Sequence, residues 1–151
     1  ANLPADYVGR EDLRLEAYRR LATVTTHAEV DDIRAEWIDR YGPLPEPAEA
    51  LLLIGRLRAE CARTGVREVA VVRNNSGLGG GAFTARLQPL PLKASQRVRL
   101  TRLWPKGIYK EDTGQLVLPL PRGADPAAEL VDLLRQLIPV EAAAVAAGGV
   151  R

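Results

Sequence analysis

The chain has 151 residues, 46% of them apolar and 26% charged, a balance that fits one globular domain and excludes a disordered chain. No run reaches the ~18–20 uninterrupted apolar residues of a membrane span, and Cys61, the only cysteine, excludes an internal disulfide. The net charge of +2 is uneven, with 12 acids against 8 arginines in residues 1–60 and 7 acids against 13 bases in residues 61–151, so long-range steering is weak while a local basic patch in the second half stays open.

Apolar residues at 13, 17, 18, 21, 22 and 24 predict an amphipathic helix over 11–24. Thr26-His27-Ala28-Glu29 has the form of a capping box, a hydroxyl for an orphan amide and a Glu three residues on that reaches back. A second helix is therefore predicted to run to about Tyr41, with Val30, Ile33, Trp37 and Tyr41 as its buried stripe. Gly42 is placed to end it in a left-handed conformation, and Pro43 cannot continue it. After the stiff Pro43–Pro47 elbow, a third helix over 48–64 carries Leu51, Leu52, Leu53, Ile54 and Leu57, an arc wide enough to predict packing on more than one side. Gly65 closes it.

The pattern then changes to short β-branched runs. Val66–Arg73 and Ala82–Gln88 predict a hairpin with a long flexible tip over 74–81. Residues 90–104 fit both a helix and a strand, and the helix is favoured on the spacing of Leu92, Gln96, Leu100 and Leu103. Ile108–Lys110 and Gln115–Leu120, divided by Asp112-Thr113-Gly114, predict a second hairpin. Asp125-Pro126 starts a last helix whose stripe is Leu130, Leu133, Leu134, Leu137 and Ile138, and Pro139 stops it. The expected fold class is α+β: N-terminal helices, a small, mostly antiparallel sheet of about four strands, and a C-terminal helix. One domain is expected over 1–138, helical over 11–64 and sheet-containing over 66–138, with 139–151 a flexible tail.

Several motifs fail for want of context. Gly77-Leu78-Gly79-Gly80-Gly81-Ala82 matches G-x-G-x-x-[GA], but the strand-like alternation of 83–89 follows it where a pyrophosphate-binding helix is required. There is no Lys before Lys93, which removes a P-loop. One Cys and one His, His27, leave no zinc set. His27 at a helix start, without an evident orienting acid, is expected to be exposed rather than a catalytic base. The pairs Asp31-Asp32 and Glu111-Asp112 are adjacent in sequence and point apart, as solvated surface. No catalytic residue, metal or cofactor is expected.

Two constellations remain. Lys93, Arg97, Arg99, Arg102, Lys106 and Lys110 occur with no acid among them and with Trp104 and Tyr109 interleaved, a composition able to hold single-stranded nucleic acid. Glu36, Asp39 and Arg40 lie together at i, i+3 and i+4 on the second helix. Composition alone reads these three as a solvated face.

Four phrases resemble the C-terminal domain of bacterial transcription-repair coupling factors: Leu3-Pro4-Ala5-Asp6-Tyr7-Val8, Arg14-Leu15-Glu16-Ala17-Tyr18-Arg19-Arg20-Leu21-Ala22, Ile38-Asp39-Arg40-Tyr41-Gly42-Pro43-Leu44-Pro45-Glu46-Pro47 and Leu53-Ile54-Gly55-Arg56-Leu57-Arg58. The resemblance is close over residues 3–73 and rests on element order beyond. It implies a parent that is an ATP-driven DNA translocase, one that removes stalled RNA polymerase and recruits the excision-repair protein UvrA. It further implies that this domain folds onto a UvrB-like module of the same parent and masks the UvrA-binding surface until polymerase is engaged. Glu36, Asp39 and Arg40 fall on the family's contact helix. A nucleic-acid accessory module using 93–110 is the alternative. The start has no basic segment followed by an apolar one, and its first residue is Ala1, so a trimmed piece of a cytoplasmic protein is expected, monomeric and away from membranes.

Overall fold

The computed structural model of the chain describes residues 2–74 and 81–139. The chain separates into two compact units, residues 1–63 and 64–151.

The first unit holds α1 (Glu11–Ala22), α2 (His27–Tyr41) and α3 (Glu46–Thr64). The predicted capping box starts α2: the Glu29 amide donates to Thr26 Oγ1 at 3.1 Å and the Thr26 amide to Glu29 Oε1 at 3.1 Å. Gly42 ends the helix at φ +93°, a conformation that side chains with a Cβ rarely adopt. Val30, Ile33 and Trp37 are buried as expected, with Leu21 and Val24 of the α1 end and Ala48, Leu51 and Leu52 of α3. Leu3 and Val8 join this core, and hydrogen bonds secure the N-terminal segment: the Leu3 amide donates to the Tyr18 hydroxyl at 2.8 Å, and the Tyr7 hydroxyl to the Gly42 carbonyl at 2.9 Å. Gly55 leaves room for side chains of the neighbouring helices, since a Cβ there would lie 2.8 Å from Leu21 Cδ1 and 3.3 Å from Val30 Cγ2. The broad apolar arc of α3 is covered only in part: Ile54 is exposed and Leu53 and Leu57 are half-buried.

The second unit is a four-stranded antiparallel sheet in the order β1-β2-β4-β3, with β1 Glu68–Arg73, β2 Gly81–Gln88, β3 Ile108–Lys110 and β4 Gln115–Pro121. Two helices accompany it, α4 (Ala94–Leu103) and α5 (Pro126–Leu137). The alternation of β4 buries Leu116, Leu118 and Leu120, opposite Leu87, Ala85 and Phe83 of β2. Leu100 of α4, Leu130, Val131, Leu133, Leu134 and Leu137 of α5, and Val66, Leu90 and Leu92 outside the elements are buried as well. β3 pairs only with residues 115–117, so β4 runs past it at Pro119 and Pro121, which pair on its other side with Thr84 and Gly81 of β2. Asp125 caps α5, accepting from the Ala127 amide at 2.9 Å.

The ambiguous stretch 90–104 is helical where helix was favoured. Its strand-like alternation dissolves because Val98 faces outward, 68% exposed. Most of the predicted hairpin tip, including Gly77–Gly80, and the tail beyond Pro139 lie outside the described residues. Gly81 begins β2, so the glycine motif leads into a paired strand rather than into a helix N-terminus. No helix among the described residues is long and apolar enough to cross a membrane.

Candidate protein-docking face on helix α2

With Val30, Ile33 and Trp37 turned into the core, the 100° step of the helix sends Asp31, Ala35, Ile38 and Asp39 to the opposite side and Glu36 and Arg40 to the shoulder between. Asp31, Arg34, Ala35, Ile38 and Asp39 line a shallow hollow on that outer side. The expected triad is thus brought onto one stretch of surface, but its members are not equivalent. Glu36 is half-exposed and accepts from Arg20 Nη1 of α1 at 2.7 Å, and its other oxygen lies 3.5 Å from Arg40 Nη1. The Arg40 guanidinium carbon lies 5.2 Å from the centre of the Tyr41 ring, which meets Tyr7 edge-on at 5.6 Å. Asp39 is exposed and makes no hydrogen bond or ion pair among the described residues.

Exposed ion pairs contribute about 0.2–1 kcal/mol each, so the Arg20–Glu36–Arg40 chain orders the ridge without removing it from a partner's reach. Arg20 belongs to this ion-paired group, yet it stands 16 residues from Glu36 in sequence. Only the packing of α1 against α2 brings them together. Ile38, 39% exposed beside Asp39, adds an apolar contact to a charged surface.

Behind this face lies an ion network that sequence reasoning missed. Glu60 of α3 is fully buried and receives Arg63 Nη2 at 2.6 Å, Arg63 Nε at 3.3 Å and His27 Nε2 at 2.6 Å. Arg56 Nη1 lies 3.5 Å from His27 Nδ1 and its Nη2 donates to Asp31 Oδ1 at 2.6 Å. The Glu60 carboxylate can only accept, so His27 Nε2 is the donor in their hydrogen bond. His27 is therefore half-buried with an orienting acid, contrary to the exposed residue expected, because that acid sits 33 positions away on α3. Asp31, expected to be merely solvated, is held by Arg56. Burial pushes the Glu60 carboxyl up, but the hydrogen bonds and charges of Arg63 and His27 outweigh it and hold it below its ordinary 4.5. Arg56 likewise lowers Asp31. The only sequence signal was Glu60 three residues before Arg63, on the shoulder of an apolar helix.

Cys61, beside Glu60, is pushed up to about 11, first by burial and then by the Glu60 charge. It is a protonated thiol at neutral pH, without the thiolate a nucleophile needs. Among the described residues no group of three or more His, Cys, Asp and Glu is arranged to hold a metal.

The basic stretch lies in the second unit and is dispersed. On α4, Arg97 projects roughly 140–160° away from Arg99 and Arg102, by the helical step. Arg97 pairs with Glu111 at 3.0 Å, and Arg99 donates to the Gln136 carbonyl at 3.0 Å. Lys93 directly precedes α4, Lys106 follows it, and Lys110 ends β3. Of the two aromatics, Tyr109 has a structural post, its hydroxyl donating to the Leu90 carbonyl at 2.7 Å, while the half-buried Trp104 follows the end of α4.

A model of the TRCF domain family matches residues 1–78. The chain is 40% identical to the transcription-repair-coupling factor of Mycobacterium tuberculosis over 144 residues, 91% of this chain and 11% of that protein. It is 39% identical to that of Haemophilus influenzae over 101 residues, 66% of the chain and 8% of the relative. With Escherichia coli the identity is 42% over 67 residues, 44% of the chain and 6% of the relative. The chain thus spans about a tenth of the length of the curated relatives it matches. Its fold is similar to the crystal structure of a C-terminal domain of transcription-repair coupling factor, with a TM-score of 0.68 at 19% identity, covering 91% of this chain and 88% of the other. On these matches the chain belongs to the TRCF domain family.

Proposed function

We propose that the chain is a non-catalytic docking domain of a transcription-repair coupling factor, with residues 1–138 working as one regulatory module. In this reading the α2 ridge binds a UvrB-like module of the same protein and covers the surface that UvrA would use. The full-length protein, an ATP-driven DNA translocase, is thereby held closed until it engages RNA polymerase on DNA.

The observation that carries the reading is the state of the ridge. Asp39 stands exposed and unpaired while Arg20 and Tyr41 hold Glu36 and Arg40 in place. Ordered charges on a rigid helix fix the register of an interface with little gain in tightness, which suits a latch that has to open. Coupling of about 1–3 kcal/mol is enough to shift such an equilibrium 5- to 150-fold. The nucleic-acid alternative has less support, because two of its arginines, Arg97 and Arg99, are engaged within the second unit and project from different sides of α4.

The test is the Glu36→Ala/Asp39→Ala/Arg40→Ala variant in the intact protein, compared with the unaltered protein for UvrA binding by surface plasmon resonance. UvrA affinity is expected to rise at least fivefold. Unchanged affinity with an intact fold removes the latch assignment.

A further inference from the structure

Among the described residues of the second unit, two adjoining rows on one face of the sheet are largely apolar and half-buried to exposed. Directly opposed residues of an antiparallel pair share a face, so Arg86 of β2 stands between Ala70 of β1 and Val117 of β4, with Ile108 of β3 next in the row. Val72, Thr84 and Pro119 form the adjoining row. The other face carries the buried Ala85, Leu87, Leu116, Leu118 and Leu120.

An antiparallel sheet packed on one side turns polar side chains outward. Here β4 offers Val117 and Pro119, while Val72 and Ile108 are 57% and 61% exposed at opposite edges of the sheet. A strand that is apolar on both faces has the pattern of one covered on both. In these two rows Arg86 is the only charge. It is exposed and makes no hydrogen bond or ion pair among the described residues. The third row of the same face is polar: Glu68 of β1 accepts from Gln88 Nε2 at 2.8 Å, Gln115 Nε2 donates to Gln88 Oε1 at 2.8 Å, and the exposed Lys110 of β3 stands opposite Gln115.

We propose that this sheet face docks a helix of a protein partner, one presenting aliphatic side chains around a single carboxylate that pairs with Arg86. The juxtaposition selects the partner's chemistry. Covering a guanidinium among aliphatics strips its water and is costly unless a counter-charge arrives with the cover, and the aliphatic surroundings supply the remaining contact. Residues 64–151 hold 12 bases against 7 acids, which favours the approach of an acidic surface. Four strands are about 14 Å across, by three inter-strand spacings, and a helix with its side chains is about 10–12 Å wide. A nucleic acid fits less well, because the two rows hold one cation and no aromatic ring, neither a phosphate track nor a stacking platform. The proposal concerns a different unit from α2 and does not rest on the latch.

The test uses the 15N-labelled chain and two helix-stabilised peptides of about 15 residues. Each carries a Leu stripe, interrupted at its middle by Glu in one and by Lys in the other. Expected are saturable amide shifts centred on Ala70, Val72, Arg86 and Val117 with the Glu peptide, and binding of the Lys peptide at least tenfold weaker. Arg86→Glu, at an exposed site, is expected to reverse that preference, and Ile108→Ser to weaken both peptides. Shifts centred elsewhere, equal binding of the two peptides, or a preference that Arg86→Glu leaves intact overturns the proposal. Tighter binding at the same amides by a single-stranded oligonucleotide also overturns it.

Discussion

Glu60→Gln is the substitution on which the ion network of the first unit makes its strongest demand. The carboxylate is fully buried and accepts from Arg63 at 2.6 and 3.3 Å and from His27 at 2.6 Å. Hydrogen bonds to a charged group contribute about 1.5–3 kcal/mol each. A glutamine oxygen retains one donor at neutral strength, and its amide nitrogen faces the other donor as a mismatch. Arg63 and His27 keep 20% and 23% of their side-chain surface in water and recover part of the loss. The expected cost is therefore about 2–3 kcal/mol, at the lower end for a broken buried pair. Trp37, buried in the first unit, reports it: in a Trp104→Phe background its fluorescence follows urea unfolding of that unit alone. With a urea dependence of about 2 kcal/mol per molar, the midpoint is expected to fall by about 1–1.5 M.

The pH dependence adds a second signature. The Glu60 carboxyl is held below its ordinary 4.5 in the folded chain, so its contribution is complete above that value. As pH falls below 4.5, the unfolded chain takes up the proton first and the stabilisation is lost progressively toward the folded value. The gap between the unsubstituted chain and Glu60→Gln is expected to be constant above about pH 5.5 and to shrink below pH 4.5. A midpoint unchanged within error at pH 7, or a gap that widens in acid, refutes the network as described.

Two further outcomes follow from the same packing. Gly55→Val places atoms where a Cβ alone would lie 2.8 Å from Leu21 Cδ1, and overpacking is expected to cost about 1–3 kcal/mol, read as a lower urea midpoint despite the better helix propensity of valine. Cys61, raised from an ordinary 9.0 to about 11, is expected to react with iodoacetamide about a hundredfold more slowly than an unperturbed thiol at pH 7.5, since thiolate supply sets the rate. Unfolding in urea should restore ordinary reactivity.

The fold was legible wherever the signal was local. Thr26 with Glu29, Gly42 with Pro43 and Asp125 with Pro126 each place the cap and its partner within a few residues, and these helix boundaries lie where the spacing predicted. Gln115–Leu120 was read as the second strand of a hairpin for the same reason. Helix α4 was ambiguous because Val98 and Leu103 are exposed, which blurs the helical stripe against a strand's alternation. The placing of Glu36, Asp39 and Arg40 on one stretch of α2 was legible as a spacing, but the pairing of Glu36 with Arg20 was not, and neither was the burial of Glu60 against His27. Both depend on helix packing between residues 16 and 33 positions apart, which no periodicity encodes. The open sheet face was hidden for a related reason: Arg86, Val117 and Ile108 become neighbours only through strand order.

The proposed latch is tested most directly by titrating the chain into the separately produced UvrB-like module of the same coupling factor in a calorimeter, then repeating the titration with UvrA present. Saturable binding that UvrA abolishes, and that the Asp39→Ala chain shows more weakly, is the expected result. Undetectable binding, or a ternary complex in which UvrA and the chain sit on the module together, contradicts the masking role assigned to α2.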